Sequence, residues 1–303
     1  FQTGFRNPTT QDQYIGLNAG RAYLVGSAPD NLDRYQTQPL LVSGFGQGIL
    51  GTPTTTVSGR AAYENAFSAE SVSRGAPTKA NVALVKPEKV TAYEVGYRGL
   101  VKAGKQNITV DLSGYYNAYQ DFIAGKNVIT PFYGTVGDNS LSLAALQNGD
   151  FTVFQTYTNS AADINSYGAS IGLNTKIFNN FDLGFNYTYA KFDFDQASDP
   201  DFEAGFNTPE HKVKVQFGNT NLFKNFGFNM NVRWQNAFVW ESTFLDATVD
   251  GRTVLDAQIN YSIPKFKSVI KLGGANLGGQ EYFSAPGVGA IGSQYYISWT
   301  INN

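Results

Sequence analysis

Phe181-Asp182-Leu183-Gly184-Phe185-Asn186-Tyr187-Thr188-Tyr189 carries a large apolar or aromatic side chain at every odd position and Asp, Gly, Asn or Thr at every even one. Successive side chains of an extended chain point to opposite faces, so this stretch reads as a strand with one apolar and one polar face. The pattern recurs on both sides of it. Upstream, Tyr93, Val95 and Tyr97 alternate with Ala92, Glu94, Gly96 and Arg98, then Ile108, Val110 and Leu112 with Thr109, Asp111 and Ser113, then Ala169, Ile171 and Leu173 with Ser170, Gly172 and Asn174. Downstream come segments around Val213 to Phe217, Phe226 to Trp234 and Leu255 to Tyr261, a weaker Gly-rich one near Ile270 and Leu272, and a last one from Tyr295 to Ile301. Nine strands are expected.

Connections between them alternate between short and long. Residues 102–107, 179–180, 218–225 and 264–267 are short; residues 123–167, 191–211, 241–253 and 277–293 are long, and an irregular stretch, 7–87, precedes the first strand. Short turns on one rim and long loops on the other mark an outer-membrane barrel, whereas a sandwich mixes loop lengths at both ends. Tyr115-Tyr116, Tyr187, Tyr189, Trp240 and Tyr295-Tyr296 crowd toward strand ends, as in an interfacial aromatic girdle. The phase breaks once, because Phe192 and Phe194 are even-numbered; either a bulge lies near Ala190-Lys191 or the strand has left the membrane there.

Composition agrees. The 303 residues include 23 Phe, 18 Tyr, 32 Gly and no Cys, and 22 Lys+Arg nearly balance 24 Asp+Glu. Aromatics favour strands and Gly favours turns. The charge balance offers no field for nucleic acid, and without Cys there is no disulfide or thiolate metal site. Nothing approaches 18 consecutive apolar residues, which excludes a transmembrane helix. With nine strands both edge strands run the same way, so the sheet cannot close antiparallel on itself. A lipid-exposed edge of ~9–11 residues leaves polar groups unpaired at a cost on the order of tens of kcal/mol, beyond the ~5–15 kcal/mol that stabilises a protein. N-terminal wall strands are therefore expected outside this chain, with Phe1 to Arg6 as the end of a tenth.

Specific residues resemble the TonB-dependent outer-membrane receptor family. Phe5-Arg6-Asn7-Pro8 resembles its Phe-Arg-x-Pro motif at the outer end of a mid-barrel strand. Lys86-Pro87-Glu88, followed by Tyr93-Glu94-Val95-Gly96, is similar to the strand after that motif's long loop. Val254-Leu255-Asp256-Ala257, then Asn276-Leu277 with Glu281-Tyr282, and the ending at Gly292 to Ile301 resemble the last strands. The resemblance covers essentially the whole chain and implies an all-β transmembrane antiparallel barrel of 22 strands, of which these are the last nine. Residues 1–89 would be the end of a mid-barrel strand plus a long extracellular loop. Residues 90–303 would be nine strands with short periplasmic turns and long extracellular loops. The plug domain and its TonB-contacting segment would lie outside this chain. Many members end on an aromatic where this chain has Asn302-Asn303.

No catalytic constellation is present, so no enzymatic role is expected. The single His, His211, sits beside Pro209-Glu210 at a strand entrance without a nucleophile elbow and reads as a rim residue. Asp193, Asp195, Asp199, Asp201 and Glu203 form an acidic run whose two-residue spacing suits Ca²⁺; the bland rival is a solvated loop. Arg98, Asp111, Lys176, Asp182, Lys214, Arg233 and Asp256 are expected to face the lumen, where charge is tolerated. Tyr14, Tyr23, Tyr35, Tyr133 and Trp240 are candidate ligand contacts at loop tips. The resemblance implies uptake of a scarce nutrient, powered by TonB, across the outer membrane of a Gram-negative bacterium. Implied partners are outer-membrane lipid, the remaining barrel strands, the plug, TonB, and a surface lipoprotein or larger envelope complex. The rivals are a passive porin or structural barrel subunit, and a soluble all-β binding module. Fractionation separates these: the full-length protein is expected with the outer membrane, and its recovery in the aqueous phase without detergent overturns the barrel.

Overall fold

The computed structural model describes residues 1–43, 54–138, 140–178, 180–242 and 245–301. Asn179 of the expected 179–180 turn, and the terminal Asn302-Asn303, lie outside them.

The chain opens on β1 (Gln2–Arg6) and then runs through a first long loop. That loop holds α1 (Thr10–Tyr14), β2 (Gly16–Asn18), β3 (Tyr23–Val25), α2 (Pro29–Arg34), β4 (Leu40–Leu41), β5 (Thr54–Thr55), α3 (Gly59–Glu64), β6 (Phe67–Ser68) and α4 (Ala69–Ser73). The hairpin β7 (Glu88–Ala103) and β8 (Gln106–Gln120) follows, then a second loop with β9 (Ile123–Pro131), α5 (Leu141–Asn148) and β10 (Phe151–Asn159). Next are β11 (Ile164–Ile177), β12 (Phe181–Phe194), β13 (His211–Phe223) and β14 (Phe226–Gln235). A small hairpin, β15 (Phe238–Trp240) with β16 (Ala247–Val249), precedes β17 (Arg252–Ile263), β18 (Ser268–Ala275) and β19 (Gln294–Ile301).

Ten of these strands form one antiparallel sheet in the order β1-β7-β8-β11-β12-β13-β14-β17-β18-β19. All nine expected strands are in it, and Gln2–Arg6 pairs with β7 as a short tenth. The register is what separates the faces. One row runs Tyr97, Leu112, Ile171, Tyr187, Val213, Trp234 across six strands. The next row, one residue along, runs Arg98, Asp111, Gly172, Asn186, Lys214, Arg233. The apolar face is bare, with Val95 at 75%, Ile297 at 76% and Trp299 at 68% exposure. Soluble monomers rarely present so broad an apolar face to water, whereas lipid accepts it.

Two aromatic bands border that face. Near the long loops lie Tyr116, Tyr167, Tyr189 and His211, with neighbouring ring centroids 6.5, 6.2 and 5.1 Å apart. Near the short turns lie Phe181, Phe217 and Phe228, at 5.4 and 5.6 Å.

The short turns follow local chemistry. Gly104-Lys105 joins β7 to β8 with Gly104 at φ 62°, and Lys224-Asn225 joins β13 to β14 with φ 41° and 72°. Positive φ at the first central residue of one turn and at both of the other are hairpin geometries that match strand twist. The second turn is tighter than the expected 218–225, because β13 continues past a register shift between Asn219 and Phe223. Residues 264–266 form a single 3₁₀ turn.

The long loops depart most from expectation. The stretch 7–87 is not irregular. Its β2, β3 and β6 join β9 and β10 in a five-stranded sheet ordered β2-β3-β10-β9-β6, with β3 and β10 parallel. Val25, Leu32, Val57, Ala62, Tyr63, Val128 and Phe154 close its core. This cap sits on the inner face of the wall, where Ala124, Ala162, Ile164 and Phe202 pack with Tyr119, Phe122, Phe192 and Phe194. That contact explains the phase break. Pairing of β11 with β12 is unbroken from Ile177↔Phe181 to Ile164↔Phe194, so no bulge exists there. Pairing with β13 stops at Tyr189↔His211. Beyond it the inward positions are still even-numbered, but they meet the cap instead of water, and Phe192 and Phe194 are apolar for that reason.

The two faces predict opposite tolerances. Met230→Arg, on the outward face, is expected to destabilise the full-length protein in lipid vesicles by about 2–4 kcal/mol, while Asn231→Arg beside it costs about 1 kcal/mol or less. Urea unfolding midpoints measure both.

Candidate functional site

The long-loop rim gathers the polar groups of the chain. Its first fixed point is the end of β1. Arg6 lies 3.1 Å from Glu88 and 3.5 Å from Asp12, both carboxylates being buried. Asp12 also closes a capping box on α1 with Thr9, and Glu88 accepts from the Ile123 backbone N–H at 3.0 Å. Pro8 contributes its carbonyl to the Gln13 amide, and Lys86 pairs with Asp121 at 2.8 Å. Pro87 precedes β7, at a strand start where a missing N–H is tolerated. Phe5 points outward at 72% exposure, and Tyr93 packs its ring 5.2 Å from Phe1. Glu94 and Gly96 alternate with Tyr93 and so face inward. The motif residues thus tie the first wall strands to both large loops.

A second fixed point is Asn276, in the left-handed region at φ 53°. Its side chain donates to the Gln280 carbonyl at 2.8 Å, its N–H donates to Asp256, and its carbonyl accepts from Ser293. Leu277 N–H bonds the Leu255 carbonyl at 2.7 Å. Arg252 lies 4.5 Å over the Tyr282 ring and donates to the Phe283 carbonyl. These contacts frame a 410 Å³ cleft between residues 245–252 and 280–287.

The expected lumen-facing charges do share the inner face, and most pair across it. Arg98 Nε donates to Asp111 at 2.7 Å, Lys176 meets Asp182 at 2.9 Å, and Arg233 meets Asp256 at 2.8 Å. Lys214 stands opposite Arg233 and Asn186. A 510 Å³ hollow near the short turns is lined partly by Lys176 and Asp182.

The five candidate aromatic contacts do not converge. Tyr23 and Tyr35 pack into the cap core against Phe154, at 5.7 and 6.4 Å. Burial pushes the Tyr35 hydroxyl up to about 12. Tyr133 donates to the fully buried Asp150 at 3.0 Å and accepts from Asn148. Tyr14 is exposed, and Trp240 is half-buried in β15 opposite Ala247.

The side chains of the acidic run do not converge on one point. Among the described residues no three acidic or His side chains are placed to hold a metal ion. Asp193 stays in β12 opposite Asn165, and Asp195 accepts from the Ala197 N–H at 3.0 Å. Asp199 is buried against Lys126 at 2.6 Å, and accepts from Ser160 at 2.6 Å and the Ala161 N–H at 2.9 Å. Asp201 accepts from Ser68 and the Glu70 N–H. Glu203 accepts from Asn127 and, at 3.5 Å, from Gln155. Burial, then the carboxylates of Asp246 and Glu241, push Glu203 up to about 7. The turns of residues 196–201 send these side chains to different seats instead of gathering them around one point.

His211 faces outward with Tyr187 Oη 2.8 Å from its Nδ1. Sequence reasoning missed Lys126 as the partner of Asp199, because 73 residues separate them and no motif marks either.

The family described as TonB dependent receptor-like, beta-barrel has a model that matches residues 1–277. No curated protein matches the chain. Among solved structures, the siderophore receptor PirA from Acinetobacter baumannii shares 14% identity over 71% of this chain and 32% of its own, with a TM-score of 0.46. The FrpB iron transporter from Neisseria meningitidis shares 11% over 73% and 32%, with a TM-score of 0.49. The copper transporter OprC shares 16% over 71% and 31%, with a TM-score of 0.49. The chain spans about a third of the length of these structures.

The buried pair supplies a test of the site. Lys126→Met leaves the buried Asp199 without its cation, and is expected to destabilise the docked loops by about 3–5 kcal/mol; adding Asp199→Leu is expected to restore much of that. Hydrogen exchange of the β9 and β10 amides reads both.

Proposed function

Because the chain belongs to the TonB-dependent receptor family, we propose that it forms the C-terminal wall and outer cap of a receptor that captures a scarce nutrient outside the cell and passes it inward with energy from TonB. Barrels of this family are outer-membrane proteins of Gram-negative bacteria, and the outward face of this wall suits that setting. The long-loop rim is then extracellular, the short turns periplasmic, and the ion-paired inner wall faces a plug contributed by the rest of the receptor.

One observation carries the reading. The two largest loops fold into a common sheet whose Ala124 clusters with Ile164, Phe192 and Phe194 of the wall and with Phe202 of the next loop. A roof of this kind suits gated passage of a captured ligand better than free diffusion through a porin. The bare apolar face argues against a soluble binding module. The relatives named above are described as a siderophore receptor, an iron transporter and a copper transporter, so their names do not converge on one cargo.

The test uses the full-length receptor in cells with and without functional TonB. Ferric siderophores, cobalamin, copper complexes, oligosaccharides and peptides are offered as radiolabelled probes. One class is expected to bind the cell surface in both strains and to accumulate inside only with TonB. Equal accumulation without TonB identifies a passive barrel and overturns the proposal.

A further inference from the structure

Residues 195–207 leave the top of β12 and lie across two other loops as a strap. Toward the cap, three carboxylates two residues apart each take a separate seat: Asp199 on Lys126, Ser160 and Ala161, Asp201 on Ser68 and Glu70, and Glu203 on Asn127 and Gln155. Phe202 adds a backbone bridge to Lys126 in β9. Toward the loop of residues 236–251, the Gly205 N–H donates to Glu241 Oε2 at 3.0 Å. Asn207 exchanges two hydrogen bonds with the Glu241 backbone, at 2.8 and 3.0 Å.

Glu203 stands where these two attachments meet. From β9 it faces the Asn127 amide, from β10 the Gln155 amide, and from residues 236–251 the carboxylates of Asp246 and Glu241. On its own segment Asp201 is engaged with Ser68 and the Glu70 N–H. Lys126, the nearest cation in β9, is buried in its pair with Asp199 and follows the opposite side of the strand from Asn127. Two like charges therefore confront Glu203 when it is ionised. When neutral, it has a proton to offer to Asn127 Oδ1, which is buried without a partner and faces Glu203 once the amide turns end for end.

We propose that the strap is a proton-sensitive latch between the cap and the loop of residues 236–251, held shut when Glu203 is neutral and strained open when Glu203 is ionised. The direction follows from linkage. Glu203 in the docked strap sits at about 7 against an ordinary 4.5, so the docked form binds the proton more tightly than the released form. Docking is then strongest below pH 4.5, weakens as pH rises toward 7, and levels off above. Partial exposure of Glu203 screens the effect, which leaves an expected loss of about tenfold or more in the docking equilibrium.

Hydrogen exchange of peptides spanning 195–210, in the full-length receptor in nanodiscs at pH 5 and pH 8 and corrected for intrinsic rates, reads the latch. The opening equilibrium is expected to rise about tenfold or more between the two pH values. Glu203→Gln is expected to remove that rise, and Asp246→Asn, at an exposed site, to move its midpoint to lower pH. Asp199→Asn is expected to raise opening at both pH values while keeping the slope. An opening equilibrium indifferent to pH, a slope that survives in Glu203→Gln, or a midpoint unmoved by Asp246→Asn each overturns the latch.

Discussion

A strand that meets lipid on one face and water on the other has no freedom in its register. A slip of one residue turns every apolar side chain inward and every charge into hydrocarbon. The continuous rows from Tyr97 to Trp234 and from Arg98 to Arg233 are the visible form of that constraint. The same rule demands that each backbone N–H and C=O at membrane depth find a partner in a neighbouring strand. Strand lengths, two-residue turns and cross-strand ion pairs all serve it. The register sets Arg98 directly opposite Asp111 and Lys176 opposite Asp182, and leaves Arg233 to reach Asp256 on the diagonal.

Above the wall, order is kept differently. The cap has a conventional apolar core, and beside the apolar cluster at Ile164 and Phe202 its attachments to the wall and to the other loops include partly buried ion pairs. Arg6, Glu88 and Asp12 hold the first loop at the barrel rim, and Lys126 with Asp199 holds the strap. Buried ion pairs are poor sources of net stability, yet each is costly to break by halves. Such joints define one docked arrangement sharply without making the loops immovable.

The wall was legible in the sequence because period-two alternation is a local signal. Phe181 to Tyr189 states both the strand and its two faces within nine residues. The cap was not legible, because its strands are two to nine residues long and its sheet joins Tyr23 to Phe154 and Phe67 to Ile129 across loops far apart in the chain. Tyr23 and Tyr35 looked like loop-tip contacts for the same reason: nothing nearby in sequence discloses Phe154. The acidic run was legible as acidic, but the seats of its carboxylates were not. Each carboxylate's partner is supplied by a different element, and only tertiary structure brings Lys126, Ser68 and Asn127 beside it. Phe192 and Phe194 show the middle case, in which the break in phase was visible and its cause lay in another loop.

The two aromatic bands also set a ruler. From Phe181 to Tyr189 along β12 is eight residues, about 26 Å of strand at ~3.3 Å per residue. Tilted by ~35–45°, as barrel strands are, that length spans about 20 Å between the bands. The hydrocarbon of a typical bilayer is ~30 Å thick, and the bacterial outer membrane is thinner than average. A wall with this spacing strains a thicker membrane, which must pinch around it or leave one ring of aromatics sunk below the headgroups. Hydrophobic matching therefore acts on this chain as an address, favouring residence in a thin membrane before any ligand or partner is engaged.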